Sequence, residues 1–159
     1  MFGYKNRFTV QELFAQHQEL FLIDTRGASE YDPAIPNSHS FYIIDLMEKT
    51  KKFEEKYHSK LLERQVVLYC SKGDGTELLR KSFSKKYQVM SLEGGMVGYL
   101  EFVTHLLAHH PYENPATRDM MAIKLMKKLT NRDTSFAQFR QIADRLLSHS
   151  PDPALRQLV

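Results

Sequence analysis

Cys70 is the single cysteine in a chain of 159 residues, and it stands where sulfur could act as a nucleophile. It follows the apolar β-type run Gln65-Val66-Val67-Leu68-Tyr69 and opens the short loop Ser71-Lys72-Gly73-Asp74-Gly75. A helix-like stretch, Thr76 to Phe83, comes next. Backbone N–H groups converge where a strand end meets a glycine-containing loop and the start of a helix, and they favour an anion. A thiol placed there ionises more easily. Two other uses compete with this one. A lone cysteine often serves as a small buried apolar residue. A strand-loop-helix unit can also cradle phosphate, but this one lacks the G-x-x-x-x-G-K-[ST] spacing.

The elements that must position Cys70 are legible around it. Thr9 and Glu12 have capping-box spacing before Leu13 and Phe14, which predicts a short helix. Leu20-Phe21-Leu22-Ile23 is an apolar run of strand length, ending at Asp24-Thr25-Arg26-Gly27. Asp32-Pro33 and Ile35-Pro36-Asn37-Ser38 are turn chemistry. Phe41-Tyr42-Ile43-Ile44 is expected to be a strand, and Leu46 to His58 a charged helix with Leu46, Met47, Phe53 and Tyr57 as inward positions. Gln88 to Leu92 is a further strand, Glu93-Gly94-Gly95 a tight turn, and Met96 to Ala108 a packed helix. Strands alternating with helices predict a mainly parallel α/β sheet covered on both faces. The strand ends before Arg26, Cys70 and Glu93 then share one edge, where ligands bind in such sheets.

The character changes after Ala108. Residues 109–115 read as a linker. Two helices follow, about Thr117 to Leu129 and, from the capping box of Ser135 and Gln138, Phe136 to Leu147, the second ended by Pro151 and Pro153. This helical hairpin carries an apolar stripe that must be buried against the first part of the chain or against another copy. The domain division is therefore 1–108 and 109–159.

Bulk properties exclude several classes. A net charge of +3, with scattered basic residues, gives no footprint for nucleic acid. A single cysteine permits neither an intrachain disulfide nor a multi-cysteine metal site. His39, His58 and His105 are dispersed, and His109-His110 are adjacent in the linker, so no metal site is expected. No apolar run is long enough for a membrane span, and the N-terminus lacks a signal-peptide pattern. A cytoplasmic, reducing location is expected, which suits a free thiol.

Three motifs carry a family resemblance. Leu22-Ile23-Asp24-Thr25-Arg26, with Ser29-Glu30-Tyr31 and Ile35-Pro36-Asn37-Ser38, resembles the opening of a rhodanese domain. Val66 to Gly73 resembles its active-site strand and loop, and Leu92-Glu93-Gly94-Gly95-Met96 its closing turn. They occur in the family's order and cover about residues 5 to 108. The resemblance implies a five-stranded parallel sheet flanked by helices, here followed by the helical hairpin. It implies a sulfurtransferase in which Cys70 carries a persulfide, loaded from thiosulfate or a protein persulfide donor and unloaded to a thiol-type acceptor. The loop residues Ser71, Lys72, Gly73, Asp74, Gly75 and Thr76 would bind the anionic substrate. Asp24 and Arg26 would have supporting roles, structural first: Asp24 holds the loop around Arg26 by hydrogen bonds, and Arg26 does the same or helps to bind an anion. No metal or organic cofactor is needed.

The chain also departs from the family pattern. Gly75 stands where many active members carry an arginine. Asp74 opposes an anionic donor and raises the thiol pKa, with Lys72 a partial offset. Pro33-Ala34-Ile35-Pro36 lacks the family's histidine, and Thr76 occupies the place of the arginine that a phosphatase relative needs. A weak or inactive rhodanese module, acting in binding or regulation through its tail, is the alternative. Leu125 to Ser135 and Phe139-Arg140 look similar to the N-terminal helical hairpin of uracil phosphoribosyltransferases. That match suggests either a relic or a packing and homodimerisation arm, and a plain helical cap on the first domain is the equal alternative.

Overall fold

A computed structural model describes residues 7–27, 29 and 32–159. Glu30 and Tyr31 of the opening motif, and the residues before Arg7, lie outside it. Five strands form one all-parallel sheet: β1 (Arg7–Phe8), β2 (Phe21–Asp24), β3 (Ser38–Ser40), β4 (Val66–Tyr69) and β5 (Val89–Leu92). Their order is β1-β5-β4-β2-β3. The central strands β2 and β4 are paired from Phe21 with Val66 to Asp24 with Tyr69. Both are buried at every position. Hence they read as unbroken apolar runs, as strands covered on both faces must.

Successive side chains alternate between two cores. Phe21, Ile23, Val66 and Leu68 pack on one face with Leu46 of α2 (Ile43–Glu48), Phe53 of α3 (Thr50–Lys56), Leu61 of α4 (His58–Glu63) and Leu79 of α5 (Asp74–Arg80). Leu22, Val67, Tyr69 and Leu92 pack on the other. There they meet α1 (Val10–Ala15), α6 (Gly95–Ala108), α7 (Arg118–Leu129), α8 (Phe136–Ser148) and α9 (Pro153–Arg156). The capping boxes at Thr9 and Ser135 both form, each side-chain oxygen taking an N–H from the third helical residue.

Four local expectations are corrected. Phe41 to Ile44 is not a strand. The edge strand is the polar triplet Ser38–Ser40, and α2 begins at Ile43. After β3 the chain turns inward, Phe41 and Ile43 donating their N–H groups to the carbonyls of Asp24 and Thr25. The apolar run is used half by an aromatic cluster (Phe41 with Phe53 and Tyr57) and half left exposed, at Tyr42 and Ile44. Residues 46–58 form parts of three short helices rather than one, and Met47 points outward. The Thr50 hydroxyl donates to the Leu46 carbonyl at the end of α2. Helix α5 begins at Asp74 and stops at Arg80, so the bend after Cys70 is only Ser71 to Gly73. Pro153 does not end a helix but starts α9, behind an Asp152 cap.

The tail stripe is buried against this chain's own sheet. Leu125, Leu129, Phe139, Ala143, Leu146 and Leu147 belong to the same core as Phe14, Tyr99 and Val103. Polar contacts fix the seam. The Arg140 guanidinium donates to the carbonyls of Phe14 and Gln16, closing the free C-terminal carbonyls of α1. The N–H groups of Ala34 and Asn37 donate to the carbonyls of Thr130 and Arg132 at 2.9 and 3.0 Å.

One pH effect follows from the end of α6. His110 is buried, its ring edge-on to Tyr112 and His149, and Nδ1 has no hydrogen-bond partner. Burial, then the nearby Arg145 and His149, holds its pKa below the ordinary value. The folded state therefore binds this proton less readily than the unfolded chain. Its stabilising contribution is complete above about pH 6.5 and is lost as pH falls below that. His39 is displaced in the same direction, by burial and then Lys60 and Arg64. Thermal melts between neutral pH and about pH 5 should show a falling Tm, and His110→Phe should flatten the slope without abolishing it. An unchanged slope would dismiss His110 as its source.

Candidate active site

Cys70 follows the last residue of β4, and its thiol is half-buried. Sγ accepts the Gly73 N–H at 3.1 Å, and the Thr76 hydroxyl stands 3.9 Å away. Burial pushes the thiol pKa up. Hydrogen bonds from the Thr76, Gly73 and Lys72 N–H groups and the Thr76 side chain push it down, and the net result lies below the ordinary value. The hydrogen bonds thus outweigh burial, and the Asp74 charge does not reverse them.

The bend holds this shape through two glycines and two hydroxyls. Gly73 has φ +100°, a conformation that L side chains rarely adopt. The Thr76 hydroxyl bonds to the Gly73 carbonyl at 3.1 Å and to the Ser91 hydroxyl at 2.5 Å. Ser91 is a buried polar residue on β5, next to the strand that carries Cys70. From the opposite side, Met96 and Val97, in the first turn of α6, donate N–H groups to the Cys70 and Ser71 carbonyls at 2.8 and 3.0 Å.

Gly95 permits this close approach. A Cβ there would overlap the Cys70 carbonyl oxygen and stand 2.8 Å from the Ser71 carbonyl carbon, with φ at +56°. Gly95→Ala should therefore destabilise the fold by roughly 2–3 kcal/mol and displace the bend. Its iodoacetamide alkylation curve should move to higher pH than wild type, because the donors to Sγ lose register. Gly98→Ala is the control, since its Cβ would meet only a 3.4 Å contact. Equal curves for Gly95→Ala and wild type would remove the bend from any role in setting the thiol.

The six loop residues divide by exposure. Ser71, Lys72, Asp74 and Gly75 are exposed, Gly73 is intermediate and Thr76 is buried. Gly75 faces α2, where an added Cβ would meet Ile43 Cδ1 at 3.2 Å.

Asp24 and Arg26 form a second centre. The Arg26 guanidinium grips the fully buried Asp24 carboxylate with two bonds of 2.9 Å, and also donates to the Pro33 carbonyl at 2.7 Å. Arg132, from the turn between α7 and α8, adds a bond of 2.8 Å to the same carboxylate and one of 3.2 Å to the Ser38 hydroxyl. Burial pushes Asp24 up, but its bonds to Arg26 and Arg132 hold it below its ordinary value. Ser38 continues the network to the Tyr69 hydroxyl at 2.9 Å, which also receives the Ile35 N–H. Burial and then the Asp24 charge raise Tyr69 to about 12, so it remains a phenol. Tyr69 immediately precedes Cys70, which links the two centres through one residue of backbone.

Three participants escaped the sequence reading. Ser91 had a signal, a polar residue at an inward position of an apolar strand. The Tyr69 hydroxyl had a weaker one. Arg132 had none, because it is 108 residues from Asp24. Among the described residues no group of three or more His, Cys, Asp or Glu side chains could hold a metal ion. No helix among them is long and apolar enough to cross a membrane.

No curated protein and no solved structure matches the chain. The family model of the rhodanese-like domain matches residues 9–102, which include β2, the Cys70 bend and the Gly94-Gly95 turn. With more than half its length matched and the five-stranded parallel sheet in place, this chain belongs to the rhodanese-like domain family.

Proposed function

We propose that the protein is a sulfurtransferase in which Cys70 carries sulfane sulfur as a persulfide. The observation that carries this reading is the bend from Ser71 to Gly73 with the first turn of α5, whose N–H groups lower the Cys70 pKa against the effect of burial. The Cys70 thiolate attacks the outer sulfur of thiosulfate or of a donor persulfide. One S–S bond forms and one breaks, and sulfite or the donor thiolate leaves with the electron pair. An acceptor thiolate then attacks the outer sulfur of the Cys70 persulfide and restores the Cys70 thiolate. Neither step needs an external oxidant or reductant. The same N–H groups stabilise the anionic sulfur at each stage.

A reducing, cytoplasmic setting fits a carrier thiol that must stay free. Ser71, Lys72 and Gly73 of the bend and Asp74, Gly75 and Thr76 of the first turn of α5 bind the substrate in this reading. Asp24 and Arg26 act at a distance, by fixing the end of β2 beside Tyr69. The test is thiocyanate formation from thiosulfate and cyanide, and persulfide transfer to a small thiol, each beside Cys70→Ser. Turnover in wild type alone supports the proposal. Transfer retained in Cys70→Ser excludes it. No turnover with any donor favours the binding module, to which the exposed Asp74 and the Gly75 position lend support.

A further inference from the structure

Five of the nine large apolar side chains that are exposed among the described residues stand on or beside the helices next to Cys70. Tyr42, Ile44 and Met47 on or beside α2, Leu78 on α5 and Val97 on α6 are each at least 44% exposed. All stand on the elements that frame the bend. Helix α2 packs on α5 through Ile43 and Gly75, Leu78 lies one turn beyond Gly75, and Val97 bonds to Ser71. Exposed apolar side chains gathered on neighbouring elements are the material of a contact surface.

The opposite side of α2 adds charge. Tyr42, Asp45, Leu46 and Lys49 wall a cavity of about 340 Å³, and Lys52, Phe53, Lys56 and Tyr57 form its other wall. Lys49, Lys52 and Lys56 recur at helical spacing and are exposed, and none makes an ion pair among the described residues. Asp45 is the one acid in the lining. The cavity lining includes Ser40 and Phe41 at the end of β3, and in this parallel sheet that end lies on the same edge as Cys70, with β2 between β3 and β4.

We propose that this ridge and cavity dock a protein carrier, a segment with apolar and acidic residues flanking its reactive cysteine, which exchanges sulfur with Cys70. The inference rests on the sulfur-transfer reading and names its partner. A small anion such as thiosulfate would engage the bend alone and leave the apolar rim and lysine row without a role. A segment with leucine-like and glutamate-like side chains would cover the first and neutralise the second.

The test uses pentapeptides activated as thionitrobenzoate mixed disulfides at a central cysteine. The flanks are leucine with glutamate, leucine with lysine, or serine with glutamate. Release of thionitrobenzoate reads the encounter with Cys70 whether or not the protein transfers sulfane sulfur. The leucine-glutamate peptide should react about tenfold faster than either comparison peptide, and the preference should shrink to about twofold in Lys49→Glu/Lys52→Glu/Lys56→Glu and in Leu78→Ser. Equal rates would overturn the proposal. So would a preference for glutamate regardless of leucine, which indicates simple anion steering. Amide NMR of Cys70→Ser with the reduced leucine-glutamate peptide gives an independent reading. Shifts at 42–56, 71–78 and 97 are expected. No shifts, or the same shifts on concentrating the protein without peptide, would overturn the proposal, the latter in favour of a second copy. Retained peptide preference with no sulfur transfer would refute the enzyme reading and leave the docking surface standing.

Discussion

Incubated with thiosulfate or a small persulfide donor, wild-type protein is expected to gain the mass of one sulfur atom, and Cys70→Ser none. The expectation follows from the geometry around Sγ. A thiol left to burial alone would resist ionisation, but here Gly73 donates at 3.1 Å and the remaining donors of the bend turn the balance downward. The outer sulfur of a persulfide extends the same anion by one bond. Loss of the sulfur atom deletes the nucleophile, so loading should fall to background. Thr76→Val separates position from presence. It keeps the Thr76 N–H and the shape of the side chain but removes the hydroxyl that joins Gly73 and Ser91. Loading should then survive at a lower rate, with the pH midpoint of alkylation raised. A sulfur gain in Cys70→Ser would end the carrier hypothesis.

Asp24→Ala should produce the largest loss of stability among single substitutions at this centre. It strips two guanidiniums, Arg26 and Arg132, of a common buried partner. Removing one member of a buried ion pair costs about 3–5 kcal/mol, because the remaining charge is left without compensation. Both arginine side chains keep a minor exposed fraction, 16% and 19%, so water offsets part of this. A loss of about 3 kcal/mol is expected, equivalent to a fall of about 10 °C in Tm for a chain of this size. Arg132→Met should cost less, because Arg26 still neutralises the carboxylate. The double variant should cost less than the sum of the two singles, since the sites share one interaction.

The pH dependence has a definite sign. The Asp24 pKa is depressed in the folded state. Its contribution is therefore present above the unfolded value of about 3.9 and is lost as pH falls through the lower folded value. Wild type and Asp24→Ala should converge in stability at strongly acidic pH. Equal stability at neutral pH would show that the ion-pair cluster contributes nothing net.

Arg132 also alters how the tail is understood. It lies beyond the matched residues 9–102, yet it holds the carboxylate at the end of β2. Arg140 does the same for the end of α1, and the Tyr99 hydroxyl donates to the Leu129 carbonyl. Removing the tail would expose Phe14 and Tyr99 as well as deprive Asp24 of a partner. Truncation is thus a poor way to ask whether the tail binds anything, and substitutions on its outward face are the sounder approach.

Much of the fold was legible because local chemistry and burial agreed. Val66 to Tyr69 and Leu20 to Ile23 read as buried strands from their apolar runs and the turn residues that bound them, and they correspond to β4 and, one residue displaced, β2. Thr9 and Ser135 announced their helices through capping boxes that are closed within three residues. The Gly94-Gly95 turn was legible for the same reason, although its purpose was not. Phe41 to Ile44 misled because a short apolar run has no period that separates strand from helix. Its course was decided by the carbonyls of Asp24 and Thr25, which belong to another strand.

The sequence by itself determined the thiol, the bend that follows it and the alternation of strands with helices, because each depends on neighbours in the chain. The tertiary structure alone decided that Gly95 presses on the Cys70 carbonyl, that Ser91 braces Thr76 and that Arg132 shares Asp24 with Arg26. These contacts join residues 15 to 108 positions apart, and no local propensity encodes a partner at such a distance. Burial makes them decisive, since a polar group out of water must find its partner wherever the fold brings one.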